Sequence, residues 1–131
     1  MTWYLREPAR LGLEIDLLTR AANGQLGRLG SDLVYDEAIE IAGTPFRFRI
    51  TFPEDFPSSM PSVALLFPRN LPVSADVHRY RDGSLCLLAP REWHPKMTGL
   101  WIRNRTIAWC HAAVVFAATD VWPEFRQAAR A

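Results

Sequence analysis

Phe46-Arg47-Phe48-Arg49-Ile50-Thr51-Phe52 alternates without a break, aromatic and aliphatic side chains on one side and Arg47, Arg49 and Thr51 on the other. Period two over seven residues is the pattern of a strand that buries one face. Downstream, Pro53-Glu54-Asp55-Phe56-Pro57-Ser58-Ser59-Met60-Pro61 leads into Ser62 to Phe67, a second apolar run bounded by Pro61 and Pro68 and read as the next strand. Upstream, Tyr35 to Ala42 precedes the alternating stretch, and Gly43-Thr44-Pro45 supplies the turn, so these two segments are expected to pair as an antiparallel hairpin.

Further out, Leu11, Ile15, Leu18 and Ala22 recur at helical spacing, with Pro8 tolerated in the first turn, which predicts a helix from Pro8 to Ala22 ended by Asn23-Gly24. Pro68 to Gly99 shows no regular period, and a helix of Leu100 to Thr119 follows it. Asp120-Val121-Trp122-Pro123-Glu124 closes that helix and begins a short last one. An irregular segment of that length normally carries function or is disordered. Leu71, Leu85, Leu87, Leu88 and Trp93 within it argue for a packed, functional loop. The order helix, antiparallel meander of three to four strands, long active-site loop, helix is α+β, with helices on one face and at the ends of the sheet.

The 131 residues are expected to form one domain, 1–131; with 49% hydrophobic and 22% charged residues the chain suits a globular core. A net charge of +1 gives no electrostatic reason to bind nucleic acid or an anionic membrane. The longest apolar stretch, Ile107 to Ala118, is interrupted by His111 and is too short to span a bilayer. The N-terminus lacks the basic start and apolar run of a signal peptide, and two cysteines without framework spacing suit a reducing compartment, so a cytoplasmic location is expected. Of 15 basic residues only Lys96 is a lysine, leaving few internal amines for an acyl group to reach.

Chemistry concentrates in His78-Arg79-Tyr80-Arg81-Asp82-Gly83-Ser84-Leu85-Cys86-Leu87 and Trp93-His94-Pro95. A cysteine attacks as its thiolate, which needs partial exposure and nearby cationic or hydrogen-bond-donating groups. His78, Arg79, Arg81 and His94 are the local candidates, and Gly83 permits the tight bend that would present Cys86. An inert cysteine buried between Leu85 and Leu87 is the competing reading. Asp82 suits a turn with Gly83 better than proton transfer. Cys110 sits at helical spacing among core residues, so packing is its expected job, and the scattered histidines and cysteines imply no metal or other cofactor.

Three fragments in this order resemble the ubiquitin-conjugating (E2) family in its divergent bacterial forms, over roughly residues 30 to 120. Phe52-Pro53-Glu54-Asp55-Phe56-Pro57-Ser58-Ser59-Met60-Pro61 is similar to the family's proline-punctuated strand end, Asp82-Gly83-Ser84-Leu85-Cys86-Leu87 to its active-site loop, and Trp93-His94-Pro95 to its Trp-x-Pro. His78 stands where the family has an asparagine. The resemblance implies an E2 (UBC-like) fold, C-terminally reduced, in which Cys86 carries a protein C-terminus as a thioester and passes it to an amine. It implies for His78 the role of oxyanion donor or general base, with Asp82, Gly83, Leu85, Trp93, His94 and Pro95 supporting the loop. The implied partners are an E1-like activating enzyme and, as acyl donor, either a ubiquitin-like modifier or the C-terminus of a cGAS-like nucleotidyltransferase, as in antiphage systems of the CBASS or Bil type. Ser58 replaces the aromatic that anchors RING-type ligases, which argues against an ordinary RING partner. Two other readings stay open: a non-catalytic E2-variant or RWD-like binding module, and a Cys-His thiol hydrolase.

Overall fold

The computed structural model describes residues 2–69, 79 and 82–123. These residues build helices α1 (Trp3–Arg6) and α2 (Pro8–Ala21), strands β1 (Gln25–Leu29), β2 (Asp32–Ile41), β3 (Thr44–Thr51) and β4 (Ser62–Phe67), a 3-10 turn at Pro90–Glu92, and the long helix α3 (Gly99–Thr119). The four strands form one antiparallel sheet in chain order, so the fold is α+β with a meander. Among the described residues no helix is long and apolar enough to cross a membrane.

The alternation of β3 does what its pattern requires. Phe46, Phe48 and Ile50 are buried on the inner face, and Phe52 continues the row just past the strand. On the outer face Arg49 meets Asp36, its partner across β2, through two bonds of 2.8 and 2.9 Å. The turn before β3 lies one residue earlier than expected: Ala42 and Gly43, at φ 51° and 81°, form a two-residue hairpin loop whose left-handed geometry matches strand twist. Thr44 and Pro45 therefore belong to β3, with Pro45 opposite Glu40. β1 is the strand that the sequence did not announce; it is an edge strand with no fully buried residue, so it shows no periodic burial pattern.

α2 also departs from its stripe. Leu18 is buried, with Leu11 and Ala22 packed at the edge of the core, but Ile15 is 43% exposed and Glu14 takes the inward position. α3 runs against β2 and β3, contributing Ile102, Trp109, Cys110 and Ala113 to the common core. Asp120 ends it in the left-handed conformation at φ 64°. A polar tie crosses this interface. Glu37 accepts from Arg103 Nε at 3.0 Å and Nη2 at 2.7 Å, the Tyr35 hydroxyl also donates to it, and Gly24 N–H donates to Tyr35 Oη at 2.8 Å. Burial, reinforced by the neighbouring Glu37, pushes the Tyr35 hydroxyl to a higher pKa and keeps it a donor. Gly24 is required at this closure, because a Cβ there would lie 2.4 Å from both the Tyr35 ring and the Asp36 carbonyl.

Candidate active site

Cys86 sits on a short lip that continues the sheet beyond β4. Leu85 N–H donates to Val63 O at 2.9 Å, and Ser84 and Leu85 form isolated antiparallel bridges with Ala64 and Arg79. Extended backbone turns successive side chains to opposite sides. Leu85 and Leu87 consequently point into the core at 3% and 2% exposure, and Cys86 between them is partly exposed. The competing reading of a fully buried thiol is met instead by Cys110, which has no exposure and whose thiol burial pushes up to about 12.

Three local devices shape the approach to the lip. Gly83, at φ 88°, makes the bend before it, in backbone space that favours glycine. Asp82 Oδ1 accepts from Ser84 N–H at 2.9 Å and from the Ser84 hydroxyl at 2.5 Å, so its turn partner is Ser84. The Ser84 hydroxyl, helped by the Ser84 amide, holds the Asp82 carboxyl below its ordinary pKa. Arg79 donates through Nε and Nη2 to Gly83 O at 3.2 and 3.1 Å. That is a correction to its expected place as a cation facing the thiol: its guanidinium braces the bend. On the far side, Arg105 of α3 donates from Nε to Leu87 O at 3.2 Å, and its guanidinium carbon lies 5.1 Å from the Trp101 ring centroid.

The second predicted loop is welded to the proline-rich one. Trp93 is buried and its indole N–H donates to Pro57 O at 2.8 Å, while Phe56 packs edge-on against Trp3 and Phe52 at 4.7 and 4.8 Å. His94 is exposed, and its Nδ1 accepts from Lys96 N–H at 3.0 Å within its own turn. Pro95 is exposed, and its carbonyl accepts from Arg10 Nη1 at 2.6 Å; Arg10 Nη2 takes Met97 O. The same guanidinium lies over the Phe56 ring at 4.9 Å and donates from Nε to Glu14 Oε2 at 3.0 Å.

Glu14 completes the joint. Its side chain has no solvent exposure, and Oε1 accepts from Gly99 N–H, the first residue of α3, at 2.7 Å. A carboxylate suits a helix N-terminus, where the backbone dipole and an otherwise unused N–H face it. Burial nevertheless raises the Glu14 pKa, outweighing the Gly99 bond and the Arg10 charge. Gly99 has to be glycine, because a Cβ would lie 2.7 Å from both Glu14 Oε1 and the Phe52 ring.

Asp82, Gly83, Leu85 and Cys86 thus form one turn and lip, and Trp93, His94 and Pro95 form a second turn anchored to α2 and to the proline-rich segment. His78 and Arg81 lie outside the described residues. Sequence reasoning missed Arg105, Arg10 and Glu14. Each carried a signal: Arg105 is flanked at helical spacing by the buried Ile102 and Trp109, and Arg10 and Glu14 stand at i, i+4 on α2. Among the described residues no group of three or more His, Cys, Asp or Glu side chains could hold a metal ion. Compared with protein-family models, curated proteins and solved structures, the chain matches none.

Proposed function

We propose that this chain has a ubiquitin-conjugating type of fold and acts as an acyl carrier on Cys86. The observation that supports the reading is the outward Cys86 between inward Leu85 and Leu87, on a lip tied to α3 through Arg105. In the first step the Cys86 thiolate attacks the carbonyl carbon of an activated protein C-terminus. A carbon–sulfur bond forms, and the activating group leaves, either the thiol of an E1-like enzyme or an adenylate. In the second step an amine attacks the thioester carbon, the carbon–nitrogen bond forms, the carbon–sulfur bond breaks, the amine loses a proton, and Cys86 departs as thiolate. The donor is a ubiquitin-like modifier or the C-terminus of a cGAS-like nucleotidyltransferase, in an antiphage setting. His78 supplies the oxyanion's hydrogen bond or takes the amine's proton.

The test is to express the tagged chain in its native host and isolate it with and without reductant. A protein adduct that is lost with reductant and absent from Cys86→Ala supports the reading, and mass analysis names the donor. His78→Ala should then slow transfer about a hundredfold, the scale of losing one oxyanion donor. An adduct that survives Cys86→Ala overturns the assignment. A Cys86 thiol that resists mild alkylation and takes no acyl group points to the binding-module reading.

A further inference from the structure

A buried cation beside a reactive centre costs desolvation energy unless its bonds are well made, so its placement calls for an account. Arg105 is 4% exposed on an apolar helix. Its Nε reaches 3.2 Å to the carbonyl of Leu87, the residue after Cys86, and its guanidinium carbon lies 5.1 Å from the ring centroid of Trp101, one turn back on the same helix. Leu85 is fixed on the other side of Cys86 by its N–H, which donates to Val63 O. Cys86 is therefore held between one backbone anchor from the sheet and one from α3. Burial of Leu85 and Leu87 sets the alternation, and the Arg105 bond adds a directional hold on the backbone at the Leu87 end, where no sheet bridge among the described residues reaches.

We infer that Arg105 is a positioning residue for Cys86, acting through the Leu87 carbonyl to hold the thiol facing outward. This rests on the acyl-carrier reading for its biological meaning, but its physical claim concerns the direction of one side chain. A guanidinium suits the task better than an ammonium, since it is planar and donates in a fixed direction while its charge sits over the Trp101 ring. Lysine at this position keeps the charge and loses that direction.

The experiment compares the full chain with Arg105→Lys and Arg105→Met in three readouts. Thermal unfolding reports stability, the pH profile of Cys86 carbamidomethylation by iodoacetamide reports presentation of the thiolate, and transfer from the charged thioester to free lysine reports chemistry. Cys110→Ser is present in every chain so that one thiol is counted. Arg105→Lys should unfold at a temperature near that of its parent, yet its high-pH alkylation plateau should fall at least threefold and its transfer rate at saturating lysine about tenfold, with little change in KM. If Arg105 only stabilises the fold, a well-folded Arg105→Lys keeps the parent's plateau and transfer rate, and that result overturns the inference. So does a parent-like plateau in Arg105→Met. If no acyl group ever loads on the parent, the carrier reading fails by itself, and the alkylation plateau still decides the role of Arg105.

Discussion

The two halves of α3 do different work. From Gly99 to Arg105 the helix turns polar groups toward its neighbours: Gly99 N–H meets Glu14, Arg103 meets Glu37, and Arg105 meets the Leu87 carbonyl. From Thr106 onward it packs by shape, with Trp109, Cys110, Ala112 and Ala113 buried and Trp122 folded back to 5.4 Å from Trp109. One cysteine is tied to each half. Cys86 is held at the polar end and reaches solvent; Cys110 lies in the apolar half and does not. Directional bonds set a geometry at the first end, and close packing supplies stability at the second.

The sharpest way to break that contrast is to exchange the cysteines' fates. Cys86→Ala should abolish any reductant-sensitive adduct completely, and Cys110→Ser should leave it intact, as read on a non-reducing gel. At pH 8, alkylation followed by peptide mapping should find Cys86 labelled and Cys110 untouched, since a thiol pushed to about 12 is thiolate only about once in 10⁴ molecules there. Equal labelling of both would end the comparison.

Next in size is the joint at the polar end. Glu14→Ala leaves Gly99 N–H and the Arg10 guanidinium without their carboxylate, and should cost about 3 kcal/mol in denaturant unfolding. Glu14→Gln keeps an acceptor for Gly99 and should cost less. Its relative cost depends on pH. Because the folded state raises the Glu14 pKa above 4.5, the folded chain still holds a proton that the unfolded chain has lost in the interval just above that value. The wild type should therefore lose stability relative to Glu14→Gln as pH rises through that interval, and both should be insensitive to Glu14 below it. A wild type that gains on Glu14→Gln as pH rises would show that Arg10 outweighs burial.

At the apolar end Cys110→Ser should cost about 1 to 2 kcal/mol, the penalty of placing a hydroxyl in a site that offers packing and little else. The smallest effect is expected on the outer face of the sheet. Asp36→Asn breaks a half-exposed pair with Arg49 and should cost less than about 1 kcal/mol, measured by the same unfolding.

What could be read in advance follows from the same division. Strict alternation announced the buried face of β3, and prolines bracketed β4, because burial patterns and missing backbone donors are written locally. β1 left no pattern since an edge strand with exposed side chains needs none. Ile15 was misassigned to the core because helical spacing does not say which of two adjacent stripes faces inward; the N-terminus of α3, far away in sequence, selects Glu14. The tight bend at Gly83 was legible from glycine, but the use of Arg79 to brace it was not. An arginine near a cysteine looks the same in sequence whether it faces the thiol or the chain beside it.

The alternation Leu85 in, Cys86 out, Leu87 in also makes position 86 a replaceable part. Folding depends on its neighbours' side chains and on backbone bonds from Val63 and Arg105, so the residue at 86 is nearly independent of the core. Serine or lysine placed there should fold like the parent, and under the proposed acyl-carrier role either would turn the carrier into a trap, holding its cargo as an ester or an amide. A single codon could thus separate capture from release, giving a bait that keeps whatever the cell loads onto it.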